Sequence, residues 1–414
     1  MIPASVDALL EEAGRCVACG LCLPHCPTYR KTLNEADSPR GRIALMQGGL
    51  ERRIPMNERY HAHLDLCLGC RACEAACPNN VAYGGLLAGV RSLAESSRRR
   101  GWWRRLVRAA LVDGLLAKPA RLRLAGGLLR AWQASGVPVL AKKSTRLAQW
   151  SLARIVLRLP PIKLQPVWKA VYPAQGAVRG EVGLFLGCVA RVADSDTLRA
   201  TIFVLNRLGY TVRVPHGQAC CGALYASLGG QERAAGFERE NVDAFSGLDV
   251  VISTATGCGA ALKGYPQAFA DRVQDVSEFL AAAEGWTEVD IAPLAETVAV
   301  HESCLMRNVL RCQGKPYGLL HRIPTLAAVP LAGNDQCCGA AGTYALTQPG
   351  MAAALLADKI EAVKAGAARI VATSNIGCAL HLAAGLKEAG LEVEVVHTVT
   401  LLARQMGFDD DKTR

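Results

Sequence analysis

Seventeen cysteines in a chain of 414 residues constrain the fold because they are grouped. Two stretches, CVACGLCLPHCP (Cys16 to Pro27) and CLGCRACEAACP (Cys67 to Pro78), place four cysteines at offsets of three, three and four, followed by proline. Further on, Cys188 is followed after 31 residues by the pair Cys220–Cys221, and after 36 more, the first of them Gly222, by Cys258. Cys304 is followed after 32 residues by the pair Cys337–Cys338, and after 39 more, the first of them Gly339, by Cys378. Only Cys312 falls outside these groups and reads as a bystander. The fold must therefore build two kinds of thiolate site, each twice.

Cys-x2-Cys-x2-Cys-x3-Cys-Pro is the spacing of bacterial-type [4Fe–4S] sites. Three cysteines on one tight loop cap three iron corners of a cubane, and the fourth reaches across to the neighbouring cluster. On that logic one cluster takes Cys16, Cys19, Cys22 and Cys77, and the other takes Cys67, Cys70, Cys73 and Cys26. Pro27 and Pro78 turn the chain away after the fourth ligand. Zinc fits less well, since it usually draws on two separated Cys-x2-4-Cys knuckles. Helical-looking sequence fills the gap between Cys26 and Cys67, which points to a helical two-cluster module.

The remaining composition sets limits. With 51% hydrophobic residues the chain can bury a substantial core. The N-terminal MIPASVDALLEEAGRC has no basic region leading into an apolar one, and no apolar run reaches the length of a membrane span. A cytoplasmic protein with reduced, metal-binding cysteines is expected, not a disulfide framework. The formal charge of +11 invites an anionic partner, but metal–thiolate clusters would offset part of it.

Four segments follow: residues 1–92, the helical double-cluster module; 93–178, a basic helical linker or docking segment; and 179–291 and 292–414, two cysteine-rich repeats. The basic stretch 98–132 carries ten arginines and lysines against one acid, Asp113. As a helix, 102–112 sets Trp103, Leu106 and Val107 opposite Arg104, Arg105 and Arg108, an arrangement suited to a membrane surface, to a partner, or to packing on the protein body. No nucleic-acid reading motif accompanies the charge. From residue 179, apolar strands such as EVGLFLGCV, DVVISTA and RIVATS alternate with helical stretches, and the repeat cysteines sit where strands end. The expected fold class is α/β: a helical two-cluster ferredoxin module followed by a duplicated α/β cysteine-rich domain.

The paired Cys-Cys-Gly elements resemble the duplicated cysteine-rich domain of heterodisulfide reductases and related respiratory iron–sulfur subunits. With CPTYR, DSPRGRIALM, CLGCRACEAACPNNVAYGGL, HESC, NIGCALHL and VVHTVTLL, most of the chain resembles the iron–sulfur subunits of glycolate oxidase. The resemblance implies metal at Cys188, Cys220, Cys221 and Cys258, and at Cys304, Cys337, Cys338 and Cys378. In heterodisulfide reductase a fifth cysteine completes the last element. Here that position is Ala261 in one copy and His381 in the other, so His381 is a candidate extra ligand. Iron–sulfur, zinc and no metal all stay open for these repeats. His301 and His397 read as positional or core histidines.

The function implied is electron transfer. Flavoprotein dehydrogenase subunits would oxidise a 2-hydroxy acid, glycolate by resemblance, and this chain would pass electrons to the quinone pool from a hetero-oligomer at the inner face of the membrane. No Gly-x-Gly-x-x-Gly element for a flavin or nicotinamide is present, and no catalytic residue is assigned. The alternatives are a heterodisulfide- or quinone-reducing catalytic subunit, the iron–sulfur subunit of anaerobic glycerol-3-phosphate dehydrogenase, and a zinc-stabilised scaffold.

Overall fold

A computed structural model describes residues 5–97, 119–135 and 166–409. The N-terminal module is helical, as expected. Three of its described helices start at side-chain caps: Ser5 Oγ accepts from Ala8 N (3.2 Å), Ser38 Oγ from Gly41 N (2.9 Å) and Asn57 Oδ1 from Tyr60 N (3.1 Å). Leu9, Met46, Leu64, Leu86 and Val90 meet in one apolar cluster, with the sides of Cys16, Cys67, Cys73 and Cys77 packed against it. Pro27 opens the helix Pro27–Thr32, where its fixed φ suits the first turn and its missing N–H costs nothing.

The rest is two parallel sheets. In the first, β1 (Val171–Tyr172), β2 (Gly180–Phe185), β3 (Tyr210–Arg213), β4 (Val251–Ser253) and β5 (Val273–Asp275) lie in the order β1-β3-β2-β4-β5. The second is β6 (Thr297–His301), β7 (Ala327–Pro330), β8 (Ile370–Thr373) and β9 (Glu394–Val396), in the order β7-β6-β8-β9. Only β1 runs antiparallel to its neighbour, β3. This strand lies ahead of residue 179, inside the stretch read from sequence as linker. The helix Pro119–Ala134 also belongs to that stretch and packs near Val189–Ala193. The segment 102–112, with Arg104, Arg105 and Arg108, lies outside the described residues.

Alternation along the strands sends side chains to two different cores. Val182 and Leu184 of β2 and Val298 and Val300 of β6 enter one cluster that both repeats share, with Leu205 and Leu402 from helices Ser195–Arg207 and Thr398–Gln405. Phe185 and Val251 face a separate cluster behind the first sheet, and Ala299 and Val371 face another behind the second. The copies are thus halves of one body. Polar contacts join them where the strands end: Thr256 Oγ1 to Ser303 Oγ at 2.6 Å, Thr256 N to Ser374 O at 3.1 Å, and His397 Nε2 to Thr254 O at 2.9 Å.

Asp275 ends β5 and caps the helix Val276–Ala282, accepting from Ser277 N at 2.8 Å. Its other oxygen is buried without a hydrogen-bond partner among the described residues, and burial pushes its pKa up to about 7. A carboxyl raised on folding stabilises the protein below its unfolded pKa and loses that contribution as pH rises towards the folded value. Asp275→Asn keeps the capping oxygen and removes the buried charge. It is expected to stabilise the protein by about 1–3 kcal/mol at about pH 8 and by less at about pH 6. Thermal melts at the two pH values check this, and an equal gain at both would contradict it.

Candidate metal centres

Each N-terminal cysteine run folds as a loop that curls around its middle cysteine. Ala18 (φ +55°) and Gly20 (φ +86°) flank Cys19, and Gly69 (φ +66°) and Arg71 (φ +57°) flank Cys70. Left-handed residues at matching places bend each loop inwards, the arrangement by which backbone amides surround an anionic group. Gly69 N donates to Cys67 Sγ at 3.4 Å.

Two hollows result. One, of about 460 Å³ and partly open to solvent, is lined by Cys16, Cys19, Cys22 and Cys77. The other, of about 310 Å³ and likewise partly open to solvent, is lined by Cys26, Cys67 and Cys70. Cys73 and Tyr83 border both. The fourth cysteine of each run therefore lines the hollow of the other run's loop, and the donor sets suit two cubanes.

The hollows differ electrostatically. Around the first, Cys19 is exposed between Val17 and Leu21, which are 67% and 58% exposed. Burial pushes the Cys22 thiol up to about 11. The second hollow is deep and has a buried cation. Arg42, 1% exposed, donates to His63 O (2.8 Å) and Thr28 Oγ1 (3.0 Å), and lies 3.9 Å from Cys26 Sγ and 3.8 Å from Asp37. Burial would raise the Cys67 thiol pKa, but Arg42 and Arg91 bring it below the ordinary thiol value. Burial pushes Cys70 and Cys73 well above that value. Metal is what holds such thiols deprotonated, so loading releases protons.

In the α/β body the thiols gather at the carboxyl ends of the strands. In each sheet the order reverses between the two central strands, where ligands of open parallel sheets collect. Cys188 follows β2, and Cys258 opens the helix after β4; Cys304 follows β6, and Cys378 opens the helix after β8. The Cys-Cys-Gly element arrives from the loop after β3 or β7. Its glycine has φ +75° at Gly222 and +91° at Gly339. A Cβ on Gly339 would sit 2.8 Å from Ala352 O, and one on Gly222 would sit 3.2 Å from Ala234 Cβ. Glycine is thus needed for both conformation and close approach. A side-chain amide straps each central strand: Gln218 Oε1 accepts from Leu186 N (2.7 Å), and Asn334 Oδ1 accepts from Glu302 N (3.1 Å).

The thiols of each repeat form a chain of contacts. Cys220 Sγ is 3.5 Å from Cys188 Sγ, and the free thiol of Cys221 is in hydrogen-bonding contact with Cys220 and Cys258. Cys304 and Cys337 are 3.8 Å apart, Cys337 is in hydrogen-bonding contact with Cys338, and Cys338 is 3.3 Å from Cys378. Hydrogen bonding to Cys220 and Cys337, then burial, pushes Cys188 and Cys304 well above the ordinary thiol value. The second repeat adjoins the deep hollow. Asn308 Nδ2 donates to Cys70 O (2.8 Å), Tyr344 Oη to Leu66 O (2.7 Å), and the charges of Cys70 and Cys304 act on one another.

Among the histidines, His381 turns Nε2 to Ala352 O at 3.5 Å. His301 instead has a ring nitrogen within 4.8 Å of both Cys338 and Cys378 sulfurs. His397 is a buried helix cap, accepting from Val399 N at 3.1 Å. Cys312 is buried near Asp275 and Glu278, as a bystander would be. Arg42 carried no sequence signal beyond its identity. His301 had one, standing three residues before Cys304.

Comparison with known proteins agrees with this geometry. Residues 12–81 match the family profile of a 4Fe-4S dicluster domain, and 182–263 and 298–383 match a cysteine-rich domain. Residues 103–159 match the linker region of glycolate oxidase iron-sulfur subunits. A probable glycolate oxidase iron-sulfur subunit of Bacillus subtilis is 33% identical, covering 96% of this chain and 94% of the relative. The chain belongs to the glycolate oxidase iron–sulfur subunit family. The Escherichia coli glycolate oxidase iron-sulfur subunit is also 33% identical, covering 94% of each chain. A fumarate reductase (CoM/CoB) subunit of Methanothermobacter marburgensis is 33% identical over 56% of this chain and 47% of its own length. Members of this family carry 4Fe–4S clusters, and the residues matched to the dicluster domain include all eight cysteines that line the two hollows. Among the described residues no helix is long and apolar enough to cross a membrane.

Proposed function

We propose that this chain is the electron-transfer subunit of a glycolate-oxidising complex, receiving electrons from a flavoprotein subunit and delivering them to the quinone pool. The observation that carries the reading is the pair of neighbouring cysteine-lined hollows, one with Cys16, Cys19, Cys22 and Cys77, the other with Cys26, Cys67 and Cys70, and with Cys73 and Tyr83 bordering both. Bound there, 4Fe–4S clusters supply one-electron chemistry, which a flavin releasing two electrons singly requires. The chain's own residues supply the environment. Cys19, Val17 and Leu21 bring the first site to an exposed apolar surface suited to a partner, and buried Arg42 sets a positive charge beside the second. Peripheral attachment to the membrane through the basic segment belongs to the same reading.

A second reading makes the cysteine-rich repeats the seat of a reduction. It draws support from the contact between Cys70's segment and the second repeat. Iron content separates the two, since about eight irons per chain match two cubanes alone, whereas a clear excess would favour redox clusters in the repeats.

The test is anaerobic. The chain is purified with the proteins bound to it, and the broad iron–sulfur absorption is followed on adding glycolate. Bleaching is the expected result. Bleaching by dithionite but not by glycolate or lactate would overturn the hydroxy-acid reading.

A further inference from the structure

We infer that Tyr83 is a positioning residue of the relay: acting through Cys67, it raises the reduction potential of the deep site above that of the exposed one, so that electrons move inwards. The inference rests on both hollows holding 4Fe–4S clusters and deepens that reading, since it gives the relay a direction. It starts from one hydroxyl. Tyr83 is 3% exposed and borders both hollows. Its Oη lies 3.6 Å from Cys67 Sγ, and among the described residues that sulfur is its one hydrogen-bond partner. A metal-bound cysteine is a thiolate with no proton to give, so the phenol is the donor.

Neighbouring contacts fix the ring there. Glu12 Oε1 accepts from Ala82 N at 2.6 Å, Arg15 donates to Asn79 O at 2.9 Å, and Asn79 Nδ2 donates to Arg15 O at 3.0 Å. These bonds tie the turn before Tyr83 to the first helix, and Tyr83 then opens the helix Tyr83–Ser97 with its ring in the apolar cluster. Tyr60 offers an internal comparison. It belongs to the same cluster and is equally buried, but its Oη has no hydrogen-bond partner among the described residues.

The two sites differ in such donors. Gly69 N also donates to Cys67 Sγ, and Arg42 and Arg91 lie within electrostatic reach of it. Arg91 is held there by bonds to Leu64 O (2.6 Å) and Cys67 O (3.1 Å). Tyr83 stands six residues beyond Cys77, whereas six beyond Cys26 stands Thr32, which is exposed. Among the described residues, side chains hydrogen-bond to the sulfurs of Cys26 and Cys67 but to none of Cys16, Cys19, Cys22 and Cys77. Burial alone would make the deep site the harder to reduce, because reduction adds negative charge away from water. Hydrogen bonds to its sulfurs and the nearby guanidinium act the other way, since both bind the more negative, reduced form more strongly. The step moves one electron and no proton: a reduced cluster at the exposed site is oxidised, the cluster at the deep site is reduced, and Tyr83 keeps its hydrogen.

The test uses the full chain, purified anaerobically with its clusters and titrated with dithionite while EPR spectra and iron content are measured. About eight irons per chain and two one-electron steps are expected, the upper step belonging to the deep site. Cys70→Ser, which removes that cluster, identifies the steps: only the lower potential should survive. Tyr83→Phe keeps the ring and should keep the iron, while the reduction equilibrium of the upper step falls about tenfold, or ~59 mV, and the lower step stays. Tyr60→Phe removes a buried hydroxyl that meets no sulfur, and should move neither step. An unchanged upper step or a loss of iron in Tyr83→Phe, an equal shift in Tyr60→Phe, or survival of the upper potential in Cys70→Ser would overturn the inference. Fewer than two clusters in the natural protein would overturn the reading of the hollows, and the inference with it.

Discussion

Replacing Cys70 with serine is expected to lower the iron content from about eight to about four per chain, and to stop electron delivery while substrate oxidation continues. Cys70 lines the deep hollow with Cys26 and Cys67, in a loop bent by the left-handed residues Gly69 and Arg71. Burial and the neighbouring Cys304 push its thiol well above the ordinary value, so only a metal keeps it ionised. A serine hydroxyl is a far harder and more weakly acidic donor, and it makes a poor substitute for a thiolate at an iron corner. The other hollow keeps Cys16, Cys19, Cys22 and Cys77, and its iron should stay. With the complex assembled, glycolate oxidation measured with an artificial acceptor that takes electrons from the flavin should persist near the natural rate, while quinone reduction falls at least about a hundredfold. Loss of both activities, or unchanged iron, would contradict the relay.

The legible parts of this protein are those written in local spacing. Cysteines at offsets of three, three and four curl into a loop whatever surrounds them, and crossing of the fourth ligand follows from the duplication of the loop. The repeats were equally readable, because strand-terminal cysteines in a parallel sheet converge where the strand order reverses. What escaped depends on packing between distant segments. β1 has two residues and no periodicity, and only its pairing with β3 makes it a strand. One core shared by Leu184, Val300 and Leu402 is invisible when the repeats are read separately. His301 was legible as a buried histidine but not as a neighbour of Cys378, since they are brought together by the pairing of β6 with β8 and the helix that follows. His381 stands at the family's fifth ligand position in sequence, yet the helix Ile376–Glu388 turns it towards Ala352.

Arg42 is the clearest case of a functional residue that spacing does not reveal, and its removal should have the second large effect. Its guanidinium spans three segments: Thr28 beside Cys26, Asp37 beneath, and the carbonyl of His63 leading into Cys67. Arg42→Met preserves much of the apolar stem and deletes the charge. Asp37 would keep the hydrogen bond to His63 Nδ1, at 2.8 Å, but lose its arginine, and two oxygens would lose a buried donor. Breaking a buried pair by removing one member costs about 3–5 kcal/mol. The holoprotein should therefore melt at a distinctly lower temperature. The same deletion removes positive charge from beside Cys26 and Cys67, which favours the less negative, oxidised form of a cluster bound there, so its reduction potential should fall. Arg42→Lys separates the two effects: it keeps the charge near the thiolates but cannot fork to His63 and Thr28, so stability drops while the potential moves little. Thermal melts with spectroelectrochemical titration read both quantities. Potentials that shift equally in the two variants would show that hydrogen bonding by the guanidinium, and not its charge, tunes the site.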